Sequence, residues 1–164
     1  MSNSSAWLAD PARLVLAAPL VFGIHVCEEA PGFVRWFNEL VYRGIDQELF
    51  LSVNVAAFLV TLLVTAAAAT ARTKGSALAA LAWLGFLMFA NAVFHITGTL
   101  AHGRYAPGTV TAAVLYLPYF PPFARAVGRR WGVGLGAEAA ITLLAGAPMF
   151  IHGYLIVFRH SRLF

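Results

Sequence analysis

Six ionisable side chains sit inside otherwise apolar stretches of this chain: His25, Glu28, Glu29, His95, Glu138 and His152. The densest group is His25-Val-Cys-Glu-Glu29. On a helix, residues three and four apart share a face, so both carboxylates fall one turn from the imidazole. A histidine followed by a carboxylate at that spacing can place a ring nitrogen and an oxygen around one metal ion. The plainer alternative is a His–Glu hydrogen bond that packs a helix, but two adjacent glutamates in an apolar segment require a cation or a shared proton. Asn91 and His95 repeat the four-residue spacing, and His102 lies seven further on, near the same stripe. Asn91 is expected to orient a histidine or bind a ligand. His152 follows Pro148 by one turn. Glu138, near the other end of that segment, is expected to snorkel to the interface or pair with a loop arginine. Cys27, about 200° around the helix from His25, is expected to serve packing, and His160 to be solvated in the tail.

The elements that must position these groups are set by composition. Of 164 residues, 60% are hydrophobic and 11% charged, against about 25% charged in an ordinary soluble domain. So much apolar surface has no use in a small water-soluble fold, and lipid is the solvent that suits it. The chain is therefore expected to be an all-α integral membrane bundle of about five transmembrane helices in a single domain, residues 1–164. The spans fall at roughly 14–34, 49–69, 78–100, 109–126 and 133–157. The fourth carries Pro118, Pro121 and Pro122, which should bend it or end it early. Residues 35–48 are amphipathic enough to lie at the interface, and no cleavable signal peptide is evident at the N-terminus. A single cysteine precludes an intrachain disulfide. The net charge of +4 is scattered over loops, which fits lipid headgroups and argues against nucleic-acid binding.

Ionisable groups within a membrane cost about 2.5–3.5 kcal/mol each at a helix centre and therefore face inward and usually act. With five spans, the first, third and fifth run parallel. His25, Glu28, Glu29, His95 and His152 then fall in one half of the bilayer, with Asn54 of the second span at the same level. One site, open towards the C-terminal side, is the economical reading.

Three motifs, in order, resemble the HXXEE family of bacterial membrane proteins: His25-Val-Cys-Glu-Glu29, Asn91-Ala-Val-Phe-His95 and Tyr105-Ala-Pro-Gly108. The resemblance implies a multi-span membrane protein with a metal site and carries no substrate. It implies site roles for His25, Glu28, Glu29, Asn91 and His95, with Tyr105, Pro107 and Gly108 as a shaped turn near the site mouth. It also implies a bacterial inner (plasma) membrane location, and the basic clusters point to a cytoplasmic N-terminus.

The expected function is that of a metal-dependent membrane enzyme, a hydrolase or oxidoreductase, acting on a lipidic or apolar small molecule. The expected ligands are His25, Glu29, His95 and His152, around a divalent metal, Zn or Fe. Glu28 and His102 are the expected catalytic groups, with Asn91, Asn54 and Tyr105 supporting them. One alternative is a metal-free isomerase or cyclase in which Glu28 and Glu29 share a proton. The other is a non-enzymatic metal or small-ligand binding or transport protein. Membrane lipid is the expected surroundings, and small residues such as Gly134, Gly136 and Ala139 could pack against another helix of this chain or of a second copy in a homo-oligomer.

Overall fold

A computed structural model describes residues 10–160. Among these residues the chain forms six helices and no strand: α1 (Pro11–Glu29), α2 (Phe33–Leu40), α3 (Gln47–Ala71), α4 (Lys74–His102), α5 (109–131) and α6 (Leu135–Phe158). The helix starts are written in the sequence. The Asp10 side chain accepts from Ala12 N at 3.0 Å, and Pro11 follows at the position where a missing N–H is harmless. Asp46 caps α3 by accepting from Leu49 N at 2.8 Å, and Thr73 with Ser76 closes a capping box on α4.

Four helices, α1, α3, α4 and α6, are long and apolar enough to cross a membrane. The expected span at 109–126 is the one that does not qualify. Its helix exists and, against expectation, does not end early: it continues to Trp131. The backbone just before Pro118 accounts for that proline, while Pro121 and Pro122 lie inside the helix. Residues Ala112–Tyr116 widen into a π-helical turn, and Pro118 then falls in the first turn of the α segment that follows, where its absent N–H costs least. The prolines and Arg125, Arg129 and Arg130 lower the apolarity of α5, but its inner face is core. Tyr116, Phe120, Phe123 and Val127 are buried there.

The first span also ends sooner than expected, at Glu29 and not at residue 34. Pro31 has no N–H to extend the ladder, and the chain turns through residues 30–32. Phe33 and Val34 instead begin α2, the expected interfacial helix, shorter than 35–48. The Asn38 side chain closes the loop behind it, accepting from Gly44 N at 2.8 Å and donating to the Ile45 carbonyl at 2.6 Å.

Core contacts tie the helices together at named points. Tyr119 of α5 donates to the Leu14 carbonyl of α1 at 2.8 Å, and Trp83 of α4 donates to Thr61 of α3 at 3.0 Å. Trp36 of α2 is buried against α4, where a side chain at Gly98 would come within 2.8 Å of the indole. The outer faces are greasy: Leu20, Leu59, Leu63, Leu100 and Leu144 are all exposed. Water would penalise such a surface, and hydrocarbon does not. Cys27 lies on this exposed face. Its helical phase does point it away from His25, but outward and not into packing. Gly134, Gly136 and Ala139 also face out, with open space around both glycines.

Candidate metal centre

His25 and Glu29 occupy the last two turns of α1, and His95 faces them from α4. Both imidazoles are fully buried and Glu29 is 4% exposed. The rings of His25 and His95 lie edge to face, 5.0 Å between centroids. One carboxylate oxygen, Glu29 Oε1, stands 2.9 Å from His95 Nε2 and 3.5 Å from His25 Nε2. Each of the three residues offers a ligand atom within 4.8 Å of the others.

The alignment of these atoms matters as much as their distance. His25 Nε2, His95 Nε2 and His95 Nδ1 are buried and none has a hydrogen-bond partner. His95 Nε2 does stand at ion-pair distance from Glu29, 2.9 Å. Orphaned polar atoms in an apolar interior are costly. Two imidazole nitrogens and a carboxylate oxygen converge here, and the group could hold a metal ion.

A second layer fixes these groups. Thr111 Oγ1 lies 2.8 Å from His25 Nδ1 and donates to the Gly108 carbonyl at 3.3 Å. A hydroxyl proton given to that carbonyl leaves the Thr111 oxygen to accept, the arrangement in which Nδ1 of His25 carries the proton and donates. The Nε2 lone pair is then left facing Glu29, the tautomer a ligand requires. The Tyr116 ring packs on His25 at 4.4 Å, and its buried hydroxyl has no hydrogen-bond partner. Phe33 covers His95 at 5.6 Å. Gly108 presses its backbone onto both imidazoles: with φ +103°, a β-carbon there would stand 2.6 Å from His95 Cε1 and 2.9 Å from His25 Cε1. Only glycine satisfies both the backbone angle and the approach.

Glu28 does something else. Its carboxylate accepts from Gly108 N at 3.1 Å, Val110 N at 3.0 Å and Thr111 N at 2.7 Å, and from the Tyr105 hydroxyl. A carboxylate on the free N–H groups of a helix start satisfies donors that have no partner within the helix and opposes the positive end of its dipole. The adjacent glutamates thus face separate partners, and the proton-sharing Glu28–Glu29 pair is not formed. Tyr105, outside the spans, has its phenol pushed up to about 12 by partial burial and then by the Glu28 carboxylate that accepts its proton.

The structure brings together three of the four expected ligands. His152 is outside that group but lines the same cavity as Asn91 and His95. His102 sits apart, its ring edge-on to Trp36 at 6.0 Å, because seven residues of helix carry it about 10 Å along α4 from His95. Asn54 is turned back on its own helix, donating to the Phe50 carbonyl at 2.9 Å. Glu138 lies buried at the far end of α6, with Arg125 at 3.9 Å. Thr111 was not singled out from the sequence, because nothing local to Gly-Thr-Val-Thr announces a partner 86 residues away.

Fold and site together define a helical membrane protein with a buried two-histidine, one-carboxylate centre. A profile of the family described as "Protein of unknown function with HXXEE motif" matches residues 16–120, and the chain belongs to that family. The match covers all three site residues and the turn that packs on them. No curated protein and no solved structure matches the chain.

Proposed function

We propose that His25, Glu29 and His95 hold one divalent cation, zinc or iron, and that the chain is a membrane enzyme using it on an apolar small molecule. The observation that carries this reading is the convergence of two buried imidazole nitrogens and a buried carboxylate oxygen within 4.8 Å of one another. Three protein ligands leave a coordination position open, the arrangement of catalytic and not structural zinc sites. A cation held there supplies Lewis acidity to a bound oxygen, or a water acidified towards neutral pH, and so suits a hydrolase or an oxidoreductase.

The chain's own residues divide the remaining work. Thr111 holds the His25 tautomer. Gly108 lets the turn close over both rings. Glu28 and Tyr105 pin that turn to α1. Phe33, Tyr116 and the surrounding apolar core keep bulk water away, which strengthens every charge interaction inside. The metal-free isomerase reading loses its basis once Glu28 is occupied by backbone donors.

The test is elemental analysis of protein purified without chelators. About one equivalent of zinc or iron is expected in wild type, with His25→Ala and Glu29→Ala each reduced at least tenfold. Wild type devoid of metal and unable to take it up ends the proposal.

For location, we infer a bacterial inner membrane with the N-terminus cytoplasmic. Arg72 and Arg130 line one cavity with Asp10, so basic residues gather at the end of the bundle where α1 begins. Protease accessibility of an N-terminal tag in right-side-out vesicles decides this: protection is expected, and cleavage reverses the orientation.

A further inference from the structure

The metal reading leaves open what reaches the centre and by which route. Two adjoining cavities, of about 180 and 190 Å³, lie between α4 and α6 and share Phe94, Met149 and Gly153 as walls. The inner one reaches His95 and Asn91. The outer one is lined by Tyr154 and Phe158, both more than half exposed on the lipid-facing surface. The two adjoin along α6, one with the exposed Tyr154 and Phe158 in its wall and the other with the buried His95, and together they line a groove between α4 and α6. Along α6 it follows residues 149–158, about 13 Å at 1.5 Å per residue. At Gly153 the Phe94 ring packs close on the α6 backbone: a β-carbon there would stand 3.2 Å from it.

The walls are apolar except near the inner end. Asn91 Oδ1 is buried there and accepts no hydrogen bond. A carboxamide oxygen only accepts, so its complement is an N–H or O–H. Asn91 precedes His95 by four residues and lies on the same face of α4, one turn away. A molecule that filled the groove with a chain and placed a donor on Asn91 would set its polar end beside His95.

We propose that this groove binds a single-chain amphiphile whose buried end carries a hydroxyl, with the hydroxyl donating to Asn91 and the chain lying along Phe94, Met149 and Gly153 towards the bilayer. This names a substrate class for the proposed metal centre and rests on that reading for its role as substrate, though binding does not require the metal. An uncharged hydroxyl fits because the walls hold no lysine, arginine, aspartate or glutamate to pair with an ionic headgroup, their nitrogen-bearing side chains being Asn91, His95 and His152.

The probes are 1-dodecanol and 1-methoxydodecane, which match in chain length but differ in that the ether cannot donate. Binding to purified wild type is read from the saturable rise in thermal unfolding midpoint in a fixed detergent. The alcohol is expected to bind about tenfold more tightly, the effect of one hydrogen bond to a buried acceptor. Asn91→Leu should bring the two affinities together. Should that variant not fold, the alcohol–ether comparison on wild type decides alone. Equal affinity for both probes, or saturable binding of neither, overturns the proposal. Glu29→Gln separates it from the metal reading. An alcohol preference retained in that variant supports the groove whatever the metal content. Metal-loaded wild type with no preference removes the groove assignment and leaves the centre standing.

Discussion

At the scale of single residues, the two glutamates of the His25–Glu29 motif have opposite jobs although they are chemically identical neighbours. Glu29 faces the imidazoles. Glu28 holds the start of α5 through three backbone N–H groups and a phenol. Substitution by glutamine should therefore split them. Glu29→Gln is expected to abolish metal retention. Glu28→Gln should keep metal but cost about 2 kcal/mol of stability, the worth of charge-assisted hydrogen bonds lost at a helix start. Elemental analysis and thermal unfolding of both variants check this, and equal metal loss in both would contradict the division. Gly108→Ala should do both kinds of damage, since alanine disfavours φ +103° and its methyl meets both histidine rings. The Tyr105 phenol, with its ionisation raised to about 12, makes its contribution while protonated. The sign follows: that stabilisation is whole below the ordinary tyrosine value near 10 and is lost as pH climbs through about 12.

At the scale of elements, helix α2 packs closely onto α4. The Trp36 indole lies against Gly98 with no room for a further carbon. Gly98→Leu should expel it, lowering stability by about 1–3 kcal/mol as overpacking does and shifting Trp36 fluorescence to the red. An unshifted spectrum in a folded variant would show that α2 does not dock there. The long apolar runs of α3, α4 and α6 could be read within a few residues, because twenty apolar residues have few alternatives. The end of α1 could not, since Phe33 and Val34 extend its hydropathy while Pro31 ends its backbone. The π turns at Gly85–Ala90 and Ala112–Tyr116 have no local signature, so the continuity of α5 through its prolines was hidden. His25, Glu29 and His95 were legible because a charge in hydrocarbon must find a partner. Glu28 was not, because its partners are backbone N–H groups of a distant helix start, which every residue carries alike. Cys27 was phased correctly relative to His25, but in lipid the side away from the site is the solvent-facing side.

At the scale of the whole molecule, the outward Leu, Val and Phe side chains demand lipid, and the native cysteine can report it. A nitroxide on Cys27, the single cysteine and an exposed one, should collide more often with oxygen than with a water-soluble nickel chelate in bilayers. The reverse preference would place that face of α1 in water. Within the bundle, α1, α4 and the start of α5 meet around the His25, Glu29 and His95 donor atoms, and the account turns on what those atoms hold. The most direct measurement is metal content of the full chain purified without chelators, beside Glu29→Gln prepared identically. The account predicts about one equivalent of zinc or iron in wild type and none in the variant. Wild type that carries no metal and takes up neither ion when offered would contradict it.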